Sequence, residues 1–310
     1  MEKILKIINH RDFVLSLAII AGLLLGESTR ILSVISLYTL MLAMISSTID
    51  FSFKTWKNPS NIIKPITSSF FVSYILFGGA TIIISWLVFY QQNHMALWAG
   101  FVLLAAAPPG PAVIPFSGML KGDKNYSTAG LFGLYIAAMI ITPAILFVFL
   151  GTAIVSPYRI FIIMAQLIIV PLIVSRFFRH PKVLPHAKKV SGTFTKWMLF
   201  LVLTPIIGMN RNTFFDEPYI LLISALVLAV PVFLLPSIYN IILIRRGAKR
   251  DFIISSTFML TVKSAVFSAV VAIRVFEDDS VVAIPAAVMS VYIVLFAVIY
   301  SQFAKHKLRN

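Results

Sequence analysis

The segment STFMLTVKSAVFSAVVAIRVF, from Ser256 to Phe276, carries the most unusual charged residue of this sequence. It is long and apolar enough to cross a bilayer, yet Lys263 lies near its centre with no acidic residue close to it. A lone lysine at the centre of a spanning helix costs about 2.5–3.5 kcal/mol. Because Lys263 lies about midway between Asp251 and Phe276, its side chain is poorly placed to extend to a membrane surface.

Three roles for this lysine follow from its chemistry. A desolvated ammonium readily gives up its proton, so Lys263 could cycle a proton near physiological pH. It could instead keep its charge and oppose an anionic substrate, or form a static bond to backbone carbonyls. We expect a functional role, with the ammonium held against Ser127, Ser264, Thr261 and the carbonyls of a broken neighbouring helix.

A second candidate is the proline-rich stretch LLAAAPPGPAVIPFSGMLKGD, which interrupts another apolar span. It contains, in order, Pro108, Pro109, Gly110, Pro111 and Pro115. Prolines remove backbone donors and clash with preceding carbonyls, so a continuous helix is excluded here. A structural kink or a turn between two spans is the alternative, but we interpret the break as an unwound ligand-binding crossover. The half-helix from Ala112 would then direct its positive end to the membrane midplane, which suits an anion.

The composition indicates an integral membrane protein. Of 310 residues, 59% are hydrophobic and only 12% are charged. The absence of cysteine excludes disulfides, thiolate metal sites and cysteine nucleophiles, and the five histidines show no metal-ligand spacing. A net charge of +15 is compatible with nucleic-acid binding, so the distribution of the basic residues has to decide.

Apolar stretches separated by short polar turns predict ten transmembrane helices. They cover roughly 12–27, 31–49, 62–89, 95–120, 124–151, 157–177, 191–211, 217–244, 251–273 and 280–303. With both termini in the cytoplasm, most of the 26 basic residues fall in inner segments, and the outer loops hold Arg30, Arg159, Arg211 and Arg274. This asymmetry favours an inner cell membrane protein with that orientation and argues against a nucleic-acid surface.

The helix layout also predicts an internal duplication. The third and eighth helices, the fourth and ninth, and the fifth and tenth each start about 155 residues apart. The chain therefore divides into a five-helix repeat over 1–153 and a second over 154–310. Because five is odd, the second repeat is inverted, which is an architecture of secondary transporters.

Several of these features together resemble the bile acid:sodium symporter family. The matching residues are Pro108, Pro109 and Gly110, then Lys121-Gly122-Asp123, Ser127 and Thr142-Pro143. The stretch MISSTIDFSFKTWKNP, from Met44 to Pro59, is also similar to the end of that family's second helix and its following loop. The resemblance implies a core domain built around crossed, broken helices 4 and 9, a panel domain and alternating access.

The departures from this family concern its sodium ligands. Val113 and Ile114 stand where the family has a Ser-Asn pair, and Leu131 stands where it has Thr. In the ninth helix the best match puts Lys263-Ser264 on the family's Asn-Ser pair. Residues 252–273 contain no Glu, Asp, Gln or Asn, and sodium needs several oxygen ligands. The sequence therefore predicts that the family's sodium site is lost, although Ser127 keeps one of its ligands.

We therefore expect a sodium-independent secondary transporter of a small organic anion or bile-acid-like amphipathic acid, with Lys263 in place of the sodium ions. The candidate binding residues are Lys263, Ser264, Thr261, Ser127, Pro108, Pro109, Gly110, Pro111, Ala112 and Ser268. Expected partners are the substrate, the lipid bilayer and, in the coupled version, a proton. No cofactor, metal or nucleic acid is expected.

Other functions stay open to different degrees. A sodium symporter with rearranged ligands and an auxin-efflux-carrier-like transporter are alternatives within the same class. A membrane enzyme is disfavoured because no deep Asp, Glu, His or Cys offers acid–base or nucleophilic chemistry. A channel or membrane sensor is the alternative from another class.

Overall fold

The structure, a computed structural model, describes residues 11–49, 60–91, 94–151, 156–209, 211–216, 218–276 and 280–307. Every regular element within these ranges is a helix, which confirms the all-α class for this part of the chain. The predicted basic N-terminal segment, most of the 44–59 match and the acidic run 277–279 lie outside the described residues.

The helices are numbered here in chain order, with a and b for the halves of an interrupted span. They are α1 (Arg11–Leu25), α2 (Ser36–Thr48), α3 (Ser60–Phe70), α4a (Met95–Ala106), α4b (Val113–Met119), α5 (Lys124–Leu150), α6 (Pro157–Phe177), α7 (Leu184–Met209), α8 (Pro218–Ala229), α9a (Arg250–Thr261), α9b (Ala265–Val275) and α10 (Ile284–Lys307). Two of them continue beyond these bounds. A π-helical turn and further helix extend α3 to Tyr90 and α8 to Arg245.

Among the described residues, seven helices are long and apolar enough to cross a membrane. Three more apolar helices are shorter: Ser36–Ser46, Met95–Ala106 and Ala265–Val275. Two of these three are short because the predicted fourth and ninth spans are each interrupted near the middle. The coarse prediction of a multi-pass helical membrane protein is therefore confirmed.

Side-chain caps begin two of the helices, and one predicted helix start is wrong. Asp123 caps α5, its side chain accepting the Tyr126 amide at 2.9 Å, and the Ser156 side chain caps α6 in the same way. The seventh helix was predicted from about 191 but begins at Leu184. Its first turns carry Lys188 and Lys189, so hydropathy alone placed them outside the helix.

The turn between α4b and α5 reverses the chain at Lys121, which has a left-handed backbone with φ 60°. Gly122, the next residue, is required because of its close neighbours. A Cβ at this position would lie 2.3 Å from Ser117 Oγ and 2.6 Å from Ser255 Oγ.

The helices pack in two groups. Helices α1, α2, α6 and α7 pack mainly on one another, and α7 lies against both α1 and α2. Helices α3, α4, α5, α8, α9 and α10 form the second group, which buries the interrupted α4 and α9 at its centre. The two groups meet along α9b, which contacts α2 and α7, and at the contact of α5 with α6.

Candidate functional site

The site begins with the interruption of α4, which the prolines explain. Pro108, Pro109 and Pro111 have no N–H, so the carbonyls four residues before them lack their helical donors. Ala107 ends α4a in an extended conformation with φ −63° and ψ 146°. Buried carbonyls at this depth need other donors, because no lipid group supplies them.

The interruption of α9 fits directly against that of α4. The Gly110 amide donates to the Val262 carbonyl at 2.8 Å, and the Ser264 amide donates to the Pro108 carbonyl at 2.9 Å. These bonds place Pro109 opposite Lys263 in a short antiparallel bridge. Gly110 allows this approach, since a Cβ there would lie 3.2 Å from the Lys263 carbonyl oxygen.

The Lys263 side chain satisfies two of the carbonyls that the prolines leave without donors. Its Nζ donates to Ala105 O at 3.0 Å and to Ala107 O at 2.8 Å. The side chain is completely buried, and Nζ lies 4.3 Å from the centre of the Tyr74 ring. Burial rules out a side chain that extends to the membrane surface.

A threonine from a neighbouring helix satisfies the carbonyl between these two. Thr142 Oγ1 donates to Ala106 O at 2.7 Å, and Thr142 is fully buried. The hydroxyl therefore serves α4a, although Pro143 frees a backbone carbonyl in the helix of Thr142 itself. Three consecutive carbonyls, from Ala105 to Ala107, thus receive donors from α9 and α5.

The charge of Lys263 is balanced without a carboxylate among the described residues. The last carbonyls of α4a carry the negative end of the helix dipole, and the ammonium lies against them. The Tyr74 ring and, at 5.7 Å, the Phe77 ring present their electron-rich faces to Nζ. Carbonyls, a helix end and aromatic faces are also what stabilises a bound monovalent cation.

The other predicted residues divide between this crossing and its surroundings. Pro108 to Ala112 form the α4 side of the crossing, and Ser264 is the N-cap position of α9b. Thr261 Oγ1 is buried and has no hydrogen-bond partner among the described residues. Ser268 is buried one turn into α9b.

Ser127 is not brought to the lysine. Its hydroxyl donates to Ser117 Oγ at 2.9 Å and to Asp123 O at 3.0 Å, in a separate hydroxyl cluster near the α4b–α5 turn. Ser255 completes this cluster, 2.7 Å from Ser117 Oγ and 3.1 Å from Asp123 O. Sequence reasoning did not identify Ser117 and Ser255. Their hydroxyls come together through the α4b–α9a contact, which no local pattern reveals.

A cavity of about 110 Å³ lies where the crossing faces α2 and α7. Its walls include Ala43 of α2, Thr195 of α7 and Ser290 of α10. The crossing contributes residues 110–112 and 262–266, so the segment that leads into α4b and the first residues of α9b border the cavity. Lys263 is the one charged residue of the lining, and its ammonium is turned to the carbonyls of α4a.

The sequence comparisons agree with this architecture. The model of the Sodium Bile acid symporter family matches residues 35–256, which is most of the chain and includes the α4 crossing segment. The match ends within α9a, before Lys263. No curated protein matches the chain significantly.

Proposed function

Because the chain belongs to the sodium bile acid symporter family, we propose that it is a secondary transporter of a small organic anion, such as a bile-acid-like amphipathic acid. Membership of this family supports an integral membrane transporter. The geometry of the crossing and its cavity supports the proposed substrate class, coupling and mechanism.

The cavity between the two helix groups is the proposed substrate site. Its lining is apolar apart from Thr195, Ser264, Ser290 and the lysine. No carboxylate among the described residues neutralises the lysine, so its positive charge in a low-dielectric wall favours an anion. The N-terminal ends of α4b and α9b add to that potential. An amphipathic acid suits this combination of apolar walls and positive potential.

We propose alternating access as the transport mechanism, with the α3, α4, α5, α8, α9 and α10 group as a core domain and the other four helices as a panel domain. The two groups meet at the contact of α5 with α6 and along α9b, and we place the boundary between the two moving bodies at these contacts. Two inverted repeats, over 1–153 and 154–310, fit this layout. Pro109 and Lys263, which face each other in the bridge, are separated by about the same offset as the helix starts.

We further propose that transport is independent of sodium because Lys263 supplies the cation. The single observation that carries this proposal is the ammonium bound to Ala105 O and Ala107 O at the end of α4a. The two carbonyl oxygens bonded to Nζ and the Tyr74 and Phe77 rings around it stabilise the ammonium, and they favour a fixed countercharge over a proton that cycles. A cation tethered in this way would hold the two interrupted helices together permanently.

Uptake into proteoliposomes tests the proposal. With a labelled bile acid and smaller labelled carboxylates, we expect saturable uptake and counterflow that are the same in sodium and choline buffers. Uptake that requires a sodium gradient would favour the sodium symporter with rearranged ligands. Conductive, non-saturable flux would indicate a channel, and binding without flux would indicate a sensor.

A variant isolates the role of the lysine. In Lys263→Ala, carbonyl oxygens of the α4a end lose their cation, so we expect sodium, but not choline, to raise the thermal stability of the variant. Ligand stabilisation of this kind grows with the ratio of free ion to its dissociation constant. The wild type should show no sodium-specific shift. Equal stabilisation of both proteins by sodium would contradict the proposal that Lys263 takes the place of sodium.

A further inference from the structure

A second pocket, of about 250 Å³, lies at the end of the helix bundle that the charge distribution assigns to the outside. It is lined by Arg30, Ser33, Val34, Met209, Ile273 and Arg274. Arg30 and Val34 belong to the segment before α2, Met209 ends α7, and Arg274 lies in the last turn of α9b. The pocket therefore sits on the seam between the two helix groups.

Arginines converge at this place. Besides Arg30 and Arg274, Arg211 lies close by, because a Cβ on Gly26 would contact Arg211 Cδ at 3.2 Å. Gly26 begins the short turn that leads to Arg30. Three of the four basic residues predicted for the outer loops are thus gathered at one seam. No ion pair neutralises Arg30 or Arg274 within the part of the chain that the structure describes.

Arg274 has an incomplete set of acceptors. Its Nη2 donates to the Val34 carbonyl at 2.5 Å, which connects α9b to the segment before α2. Its Nε is buried and has no acceptor among the described residues. A buried N–H of a charged group without an acceptor is costly, and a carboxylate or sulfonate on this edge of the guanidinium would supply one.

We propose that this pocket is an anion-binding site that takes the head group of the organic anion before it reaches the central cavity. The inference rests on the proposed function for the identity of the ligand. Arg274 would bind one oxygen through Nε, and Arg30, whose side chain is exposed, would add a second guanidinium. Because Arg274 also bridges the two helix groups, an anion on it would weaken the Val34 contact and favour opening at this end.

The test uses the absence of cysteine in the chain, which makes an introduced thiol unique. Ile273→Cys places that thiol in the pocket lining. In a nonionic detergent, we expect an anionic methanethiosulfonate (the ethylsulfonate) to react about tenfold faster than a cationic one (the ethyltrimethylammonium), relative to a free thiol. Adding Arg30→Gln or Arg274→Gln should abolish this preference, whereas Lys249→Gln at the other end should leave it unchanged.

Binding itself is tested by protection of the same thiol. Octanesulfonate, below its micelle concentration, should slow reaction with neutral methyl methanethiosulfonate in the Ile273→Cys protein. The protection should fall in Arg274→Gln and in Arg30→Gln, and Arg30 is exposed enough that its change leaves the Arg274–Val34 contact in place. Absence of protection in the unaltered pocket would overturn the proposal.

Two further outcomes separate the sources of the anion and the two proposals. In nanodiscs, protection by phosphatidylglycerol but not by octanesulfonate would make the pocket a lipid head-group site and overturn the substrate assignment. Protection is measured without transport. Protection without uptake would therefore support the anion site and contradict the proposed function. Uptake without protection would support the proposed function and contradict the anion site.

Discussion

The ammonium of Lys263 lies 2.8 Å from the carbonyl oxygen of Ala107, the oxygen that would have bonded to residue 111 in a continuous helix. Residue 111 is a proline and has no N–H to offer. The same holds for Ala105 and Pro109, and Lys263 donates to Ala105 as well. One side chain of α9 therefore replaces two missing donors of α4, and the two interrupted helices depend on each other.

We expect Lys263→Met to destabilise the protein by about 1–2 kcal/mol. Two hydrogen bonds from a charged donor contribute about 3–6 kcal/mol, while removing the charge recovers about 2.5–3.5 kcal/mol of its insertion cost. The loss of the hydrogen bonds therefore slightly exceeds the free energy recovered by removing the charge. Thermal unfolding in detergent measures the difference, with Lys249→Met, an exposed position just before α9a, as the matched control. A variant as stable as the control would show that the ammonium contributes nothing to the crossing.

Thr142→Val should cost about 1–3 kcal/mol, because it leaves the buried Ala106 carbonyl without a donor. The replacement keeps the shape of the side chain. Thr204→Val is the control, since the Thr204 hydroxyl bonds to the Phe200 carbonyl four residues before it in the same helix, α7. The Phe200 carbonyl also accepts the backbone amide of residue 204, so it keeps a donor in Thr204→Val. Equal losses in the two variants would mean that Ala106 O finds another donor.

Local residue types predicted only the α4 half of the crossing, and the break in α9 was expected from the family resemblance alone, for a physical reason. Prolines forbid a helix locally, so the break in α4 could be placed from the residues alone. The break at Val262–Ser264 contains neither glycine nor proline. It exists because the Gly110 and Ser264 amides find carbonyls across the crossing, which is a tertiary effect.

For Lys263, the sequence predicted the type of partner but not the individual atoms. Carbonyls of the α4 break were expected. Those of Ala105 and Ala107 lie four residues before Pro109 and Pro111, and they therefore have no helical donor. Ser127 was expected beside the lysine because of its place in the family pattern. It lies instead among Ser117, Ser255 and the Asp123 carbonyl, near the C-terminal end of α4b.

Gly100→Ala should destabilise the protein by about 1–3 kcal/mol, even though alanine is the better helix former. A Cβ at this position of α4a would lie 2.3 Å from the Val282 carbonyl oxygen and 3.0 Å from Pro285 Cδ. The backbone at the start of α10 cannot move freely, so α4a must shift, and its last carbonyls would shift relative to Lys263. Gly79→Ala, in α3 with nothing within 4 Å of the new Cβ, should be neutral or stabilising by up to about 1 kcal/mol. A stabilised Gly100→Ala would show that the contact between α4a and the start of α10 is loose.

Thr195→Trp tests whether the cavity between the crossing, α2 and α7 is the substrate site. Thr195 lines this cavity from α7, and its side chain is half-buried, so an indole there would occupy space next to the crossing without replacing a core residue. We expect uptake of the labelled bile acid to fall at least about tenfold, because a site that buries most of its ligand tolerates no large intruding group. Thermal stability should change little. Thr193→Trp is the control: the residue lies two positions away on the same helix, on another face, and is not part of the cavity wall. Full uptake in Thr195→Trp, or an equal loss in both variants, would place the transport route elsewhere in the molecule.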